Sequence, residues 1–119
     1  NINPELIISD IPQGAQSIAL IFNDPDAASG DWVHWVIFDI PVASKIEQNS
    51  APGKQGVNDF GEIGYGGPCP PFGTHRYVFK IYALDAMLNL EEGISKVDLE
   101  EAMIGHVLDM AELIGLFNK

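Results

Sequence analysis

The chain has 119 residues, of which 46% are hydrophobic and 19% charged, as expected for one soluble globular domain spanning residues 1–119. Its formal net charge of −11 argues against nucleic acid and anionic membrane surfaces as partners. No apolar run approaches the ~20 residues of a membrane span, so stable membrane insertion is not expected. A single cysteine excludes an internal disulfide, and no signal segment opens the chain, which together predict a cytoplasmic protein.

Several apolar segments rich in β-branched and aromatic residues predict strands, and no helical pattern separates them. This arrangement favours a mainly antiparallel β architecture. A polar stretch with glycine and proline, residues 44–56, predicts a surface loop. The strong strands are predicted at 17–22, 33–40 and 77–84, and weaker ones at 6–9 and near Ile46.

The C-terminal part of the chain predicts one long helix beginning near Asp98. Asp98 followed three positions later by Glu101 matches the capping-box pattern. A first stripe of residues recurs at helical spacing: Leu99, Met103, His106, Met110, Leu113 and Phe117. A second apolar stripe, Ile104, Leu108 and Ala111, makes the apolar face of this helix wider than one contact with a sheet requires. The wide apolar face indicates either a deeply packed helix or a homodimer contact.

Two carboxylates lie close together where the first strong strand ends, in Asp24-Pro25-Asp26. Such a pair repels unless a cation or hydrogen bonds compensate it, and the only arginine of the chain, Arg76, is the natural candidate. We expect Arg76 to pair with at least one of them in a partly buried position. A solvated turn with Asx hydrogen bonds is the simpler explanation of the triplet alone.

Trp32 and His34 begin the next strand and share one of its faces, because strand side chains alternate. A histidine beside an indole at a strand end can line a pocket. Taken alone, however, a histidine in this position is more often a core histidine with one satisfied nitrogen.

Residues 64–77, GYGGPCPPFGTHRY, carry the only arginine and the only cysteine behind a loop rich in glycine and proline. Such a loop can turn backbone N–H groups toward an anion, and Gly66 and Gly67 would leave the backbone open to an oxyanion. Where the loop enters a strand, His75 and Tyr77 point to one face and Arg76 to the other.

Together, DPDA, the following HW and GYGGPCPP-GTHRY resemble the phosphatidylethanolamine-binding protein family, specifically its bacterial and archaeal branch, often called Raf kinase inhibitor-like. The similarity extends from Asn3-Pro4 to residues 105–108. It implies a mainly β fold with a large central antiparallel sheet, a smaller sheet and a C-terminal α-helix. Ala28 replaces the final proline of the usual DPDAP, and the N-terminal strand segment usual in the family is expected to be missing.

The resemblance also implies a surface cavity that takes phosphate, phosphoryl-ethanolamine or a carboxylate, without a cofactor. Two residues, Asp26 and Arg76, would support it from behind. The lining residues that it implies are Asp24, Trp32, His34, Gly67, Pro68, Pro70, His75 and Tyr77.

These features predict a binding module for a small anion that regulates or inhibits another protein, with no catalytic residue. The alternative is a hydrolase in which Cys69 is the nucleophile and His34 or His75 the base. A metal site of the two histidines and Asp24 is a weaker alternative, because Arg76 lies beside His75 and opposes a divalent cation.

Overall fold

The computed structural model describes residues 2–67 and 74–118. Within them, a five-stranded sheet in the order β5-β3-β2-β6-β7 lies beside a two-stranded sheet, β1-β4, and every pairing is antiparallel. The expected mainly β architecture, with a large and a small sheet, is confirmed. The elements are β1 (Leu6–Ile7), β2 (Ser17–Asp24), β3 (Trp32–Ile40), β4 (Lys45–Ile46), β5 (Lys54–Gln55), β6 (Thr74–Leu84), α1 (Lys96–Met103) and β7 (Val107–Asn118).

The two central strands are buried on both faces, which explains why their sequences lack apolar–polar alternation. All eight residues of β2 are buried, as are eight of the nine in β3. One face carries an aromatic-rich cluster that includes Phe22, Trp35 and Tyr77 and reaches the small sheet. The opposite face packs against α1 through Leu99 and Met103.

A β-bulge interrupts the pairing of β2 with β3 near one end of the larger sheet. Phe22 pairs with Trp35, but the next residue, Asn23, pairs with Val33, so His34 is the extra residue. Bulges re-aim side chains. Here His34 and Trp35 both reach the face of Phe22, with the His34 ring stacked 5.0 Å from Phe22 and Trp35 in the same cluster. The bulge thus brings His34 onto the aromatic-rich face.

A helix begins near Asp98, as predicted, but the prediction that it is long is wrong, because it ends at Met103. The helix starts two residues earlier, after Ser95, whose hydroxyl accepts a hydrogen bond from the Asp98 N–H at 3.1 Å. Asp98 is the third residue of the helix and closes a capping box with Ser95. The sequence held two overlapping capping patterns, and the structure uses the earlier one.

The segment that follows α1 is a strand and not a continuation of the helix. Ile104 leaves helical geometry, and Gly105 has a φ of +82°, a left-handed conformation that favours glycine at a helix C-terminus. Residues 107–118 then pair with β6 from Leu84 to Thr74. The long edge of β6 explains the outcome, because a second strand satisfies its backbone groups and a separate helix would leave them unpaired. Met110, Leu113, Leu108, Ala111 and Phe117 are therefore strand residues.

The segment predicted as a surface loop, 44–56, contains two short strands. Ile46 in β4 is buried against Leu6 of β1, as the weak strand signal there indicated. Gln55 in β5 pairs with Ile37, and its side-chain oxygen accepts a hydrogen bond from Trp35 Nε1 at 2.8 Å. No helix within the described residues has the length and apolar character needed to cross a membrane.

Candidate functional site

Asp24 and His75 meet at the end of the larger sheet where β2 finishes and β6 begins. Both residues are buried, Asp24 at only 3% exposure. Asp24 Oδ2 lies 2.7 Å from His75 Nδ1, and Asp24 Oδ1 accepts a hydrogen bond from the Asp26 N–H at 2.8 Å. The buried carboxylate is therefore compensated by an imidazole and a backbone amide, and the guanidinium is not hydrogen-bonded to it.

Arg76 lies on the opposite strand face and binds the second carboxylate of the turn. Its Nε and Nη2 donate to Asp26 Oδ2 and Oδ1, both at 2.9 Å, and its backbone N–H donates to Oδ2. These hydrogen bonds lower the pKa of Asp26 to about 2 and raise the pKa of Arg76. The expected pairing is present, but its expected partial burial is wrong for the arginine, because the Arg76 side chain is 54% exposed.

His34 is enclosed by aromatic rings. Its ring centroid lies 5.4 Å from that of Tyr77 and 5.5 Å from that of Phe60, both in edge-on orientation. His34 Nδ1 is 2.7 Å from the Gly66 carbonyl oxygen, which only accepts, so Nδ1 carries a proton. Burial lowers the pKa of His34, although hydrogen bonding to Gly66 and the charge of Asp24 oppose this effect. The net effect is that the pKa of His34 lies below its ordinary value of 6.5.

Tyr77 lies between the two histidines on the aromatic-rich face. Its ring centroid is 5.4 Å from that of His34 and 6.4 Å from that of His75, and the residue is 1% exposed. Four of the residues predicted to bind a ligand, including Asp24, thus form one cluster. Trp32 lies at its border, where it contacts Phe60 edge-on with ring centroids 5.5 Å apart.

Gly66 does not play the role predicted for it. The Gly66 N–H donates to the backbone oxygen of His34 at 2.9 Å, so it is not available to an anion. The space above Gly66 is filled, because a Cβ there would lie 2.5 Å from Cδ2 of Phe60. The backbone of Gly67 opposes the effect of burial on the pKa of His34. Three residues of the prediction, Pro68, Cys69 and Pro70, lie outside the described residues.

Sequence reasoning missed Phe60, which contacts both Trp32 and His34. The loop that presents Phe60 is organised by the buried Asn58, whose Oδ1 accepts from the Phe60 N–H at 2.9 Å and the Glu62 N–H at 3.1 Å. Asn58 Nδ2 donates to Gly64 O at 2.9 Å. The Asn-Asp-Phe-Gly sequence was a turn signal in which an aromatic residue is unusual.

The cluster offers two imidazoles, a phenol and one carboxylate in a mostly apolar surrounding. Among the described residues, no three His, Cys, Asp or Glu side chains are arranged to hold a metal ion. The set proposed for a metal, Asp24 with His34 and His75, is used differently. Asp24 bonds to His75 directly, and His34 uses Nδ1 for the Gly66 carbonyl.

Comparison with known proteins identifies the family to which the sequence and the fold are similar. The family profile "Phosphatidylethanolamine-binding protein" matches residues 1–118. A UPF0098 protein of Methanothermobacter thermautotrophicus is 51% identical over 127 residues, covering 100% of this chain and 84% of that protein. A crystal structure described as a phosphatidylethanolamine-binding protein homologue from Chlamydia trachomatis superposes with a TM-score of 0.95 at 44% identity, covering 99% of this chain and 82% of the other.

The crystal structure of E. coli YbcL, described as a new member of the mammalian PEBP family, also superposes along the whole chain. Its TM-score is 0.90 at 29% identity, with 100% of this chain and 81% of YbcL covered. The matched profile, the sequence identity to the relatives and the shared fold all support the same family assignment. This chain belongs to the phosphatidylethanolamine-binding protein family.

Proposed function

We propose that this chain is a binding module for a small anion, such as phosphate, a phosphoryl head group or a carboxylate, at the cluster of Asp24, His34, His75 and Tyr77. The observation that carries the proposal is the convergence of two buried imidazoles on one tyrosine, at distances of 5.4 Å and 6.4 Å between ring centroids. Buried imidazoles offer directed N–H donors and gain charge when an anion arrives.

The two histidines would contribute in different ways. Asp24 fixes the orientation of His75 through the bond to Nδ1. His34 is held by Gly66 through Nδ1, so its Nε2 is the atom that gains a proton when the ring becomes cationic. An anion nearby stabilises that cation and offsets the effect of burial on the His34 pKa. The chain has a net charge of −11, so attraction to an anion must arise locally at these rings.

The lowered pKa of His34 sets the sign of the pH dependence. Since the pKa of His34 lies below its ordinary value of 6.5, the ring is neutral at pH 7 and gains its proton at lower pH than a solvated histidine. Anion binding that requires this proton strengthens as pH falls, chiefly below 6.5. Affinity is expected to be weak, because a ligand of a few atoms gains at best about −1.5 kcal/mol per heavy atom.

Calorimetric or NMR titration with phosphate, phosphoryl-ethanolamine and sulfate tests the proposal at a neutral and a mildly acidic pH. Phosphate monoesters ionise near pH ~6, so sulfate separates the protein's titration from that of the ligand. We expect His34→Ala and His75→Ala to weaken binding and His106→Ala to leave it unchanged. His106 is a suitable control because it is exposed and pairs with Asp85 at 2.8 Å. Equal binding by all four proteins, or binding that strengthens with rising pH, contradicts the proposal.

We extend the proposal to the regulation of another protein, with occupancy of the cluster controlling that contact. Its support is the similarity in sequence to the family and the position of the site at one end of the sheet, where Trp32 is only half-buried and Phe60 is 45% exposed. We expect that adding phosphate changes the binding of such a partner to the wild type but does not change its binding to His75→Ala.

One observation favours the hydrolase alternative. The Asp24–His75 hydrogen bond is of the kind that orients the catalytic base in Ser–His–Asp enzymes. Alkylation of Cys69 by iodoacetamide separates the two proposals, because a nucleophilic thiolate reacts much faster than an ordinary thiol. A binding module predicts ordinary reactivity in both the wild type and His75→Ala. Fast alkylation that is lost in His75→Ala would favour the hydrolase.

A further inference from the structure

The outer edge of β3 changes partner where the strand approaches the site. β5 pairs with this edge at Ile37 and Phe38. Among the described residues, no strand continues the pairing to Val33 and His34. Loops bind the edge there instead, and the loop that binds Val33 is the tight turn 57–63, which is closed by a bridge between its two end residues.

Asp59, at the tip of this turn, bonds to both backbone groups of Val33. Its Oδ2 accepts a hydrogen bond from the Val33 N–H at 2.6 Å, and its own N–H donates to the Val33 oxygen at 2.9 Å. Two reciprocal bonds between one pair of residues are the pattern of an antiparallel ladder. A carboxylate oxygen here takes the place that a backbone carbonyl has in a strand. Asp59 therefore extends the pairing of β3 by one residue without a strand.

These bonds hold the β-bulge that brings His34 into the site. In a regular strand, the carbonyls of neighbouring residues point to opposite edges. The Val33 and His34 oxygens both point to the outer edge of β3, where they accept from the N–H groups of Asp59 and Gly66, each at 2.9 Å. The irregular backbone at the bulge is thus satisfied from outside the sheet, and the part that Asp59 satisfies is Val33.

The same turn places an aromatic ring beside the histidine. Phe60 follows Asp59 in the chain, and its ring centroid lies 5.5 Å from those of Trp32 and His34. Trp32 and His34 flank Val33. Asp59 and Phe60 therefore contact three consecutive residues of β3, Asp59 through the backbone of the middle residue and Phe60 through the rings on either side.

We propose that Asp59 is a positioning residue of the anion site, which holds the bulge at His34 and the ring of Phe60 in place without contacting the ligand. Its carboxylate is bonded at the outer edge of β3, whereas Asp24 and Tyr77 belong to β2 and β6, beyond the inner edge. Residues of a site keep their geometry only when neighbouring groups lock them. The inference rests on the proposed function for what the site binds, but the position of His34 can be measured without a ligand.

The charge of Asp59 and its hydrogen bond affect His34 in opposite directions, so the two effects can be separated. Burial lowers the pKa of His34, and the negative charges of Asp24 and Asp59 oppose this effect. Loss of the Asp59 charge alone therefore lowers the pKa further. Loss of the position of Phe60 instead admits water to the ring and raises the pKa toward its ordinary value of 6.5. Tyr77, which faces the His34 ring from β6, is kept in every variant.

NMR titration of the His34 ring in the ligand-free protein tests the inference. Asp59→Asn keeps an acceptor oxygen for the Val33 N–H but loses the charge, so the His34 pKa should fall. Asp59→Ala loses both, so the pKa should rise. Asp59→Glu keeps the charge but moves the acceptor by one methylene group, so the pKa should also rise, even if Asp59→Ala does not fold. Glu62→Ala is the matched control, because it removes from the same turn a carboxylate that makes no hydrogen bond within the described residues, and it should leave the pKa unchanged.

Two further measurements connect the position of His34 with binding. In a phosphate titration, Asp59→Ala should weaken binding by about tenfold, which is the loss of about one hydrogen bond to the ligand, and Asp59→Asn should weaken it less. Phe60→Ala should raise the His34 pKa as Asp59→Ala does. Combining the two substitutions should add little to Phe60→Ala alone, because both act through the same turn.

Circular dichroism establishes that each variant is folded before its titration is interpreted. A His34 pKa that falls in Asp59→Ala as it does in Asp59→Asn would leave Asp59 only its charge and overturn the inference. An unchanged His34 pKa in both Asp59→Ala and Asp59→Glu would also overturn it, even if the wild type binds phosphate. If the wild type binds no phosphate while the His34 titrations follow the expected pattern, the proposed function fails and the positioning role of Asp59 is upheld.

Discussion

Asp24 and Asp26 are two residues apart in one turn, yet removing their carboxylates should have very different effects. Asp24 is buried and accepts hydrogen bonds from His75 Nδ1 and from the Asp26 N–H. Asp24→Ala removes both acceptors from a site that water does not fill readily. A buried group that loses its hydrogen-bond partner costs about 1–3 kcal/mol, so we expect a loss of about 2–4 kcal/mol in the free energy of unfolding.

Asp26→Ala is the matched control, because the same side chain is removed from the exposed side of the same turn. Water can replace the hydrogen bonds that Arg76 loses, and exposed ion pairs contribute little to stability. Asp24→Asn should be intermediate, since the amide keeps one acceptor oxygen and the shape of the side chain.

Urea unfolding monitored by tryptophan fluorescence measures these differences. With a slope of about 1–3 kcal/mol per molar urea for a small protein, Asp24→Ala should lower the midpoint by roughly 1–3 M. Asp26→Ala should shift it far less. If Asp26→Ala lowered the midpoint as much as Asp24→Ala, the burial argument for the Asp24–His75 pair would be wrong.

Three further outcomes are expected. Because the pKa of His34 is lowered in the folded state, the unfolded chain takes up a proton at higher pH than the folded chain. The contribution of His34 to stability is therefore present above pH 6.5 and is lost as pH falls through the folded pKa. His34→Asn keeps a donor for Gly66 and should lose less stability below pH 6.5 than the wild type, as measured by unfolding at a series of pH values. Gly66→Ala should destabilise by about 1–3 kcal/mol through its clash with Phe60, and a double-mutant cycle with Phe60→Ala should recover most of that loss. Arg76→Ala should raise the pKa of Asp26 from about 2 toward 3.8 in an NMR carboxyl titration, and an unchanged pKa would exclude the hydrogen bonds as its cause.

The sequence was sufficient to place most of the sheet and the facing of its site residues. Strand alternation alone predicted that His75 and Tyr77 share one face while Arg76 lies on the other, and the structure agrees, with His75 bonded to Asp24 and Arg76 to Asp26. The rule is reliable here because β6 pairs with β7 without interruption along this part of the strand.

The errors arose where local pattern and tertiary context disagree. Met110 and Leu113 fit a helical repeat, and only the unpaired edge of β6 makes the strand the better solution for that segment. The register of a bulge depends on two strands at once, so the position of His34 on the Phe22 face could not be read from β3 alone. Phe60 fills the space above Gly66. It lies in a loop only six residues earlier in the chain, but a loop has no hydrophobic periodicity from which the contact could have been predicted.

The extra residue in β3 has a consequence for how this protein can change. If His34 were deleted, β3 would pair with β2 without the irregularity between Phe22 and Asn23, and this end of the sheet would become more regular while the site lost a histidine. Regular pairing of β3 with β2 and the presence of a histidine in the site therefore exclude each other at residue 34. Deletion of this one residue would remove the histidine but leave a well-formed sheet. Insertion of one residue at the same place in a regular strand would restore the bulge.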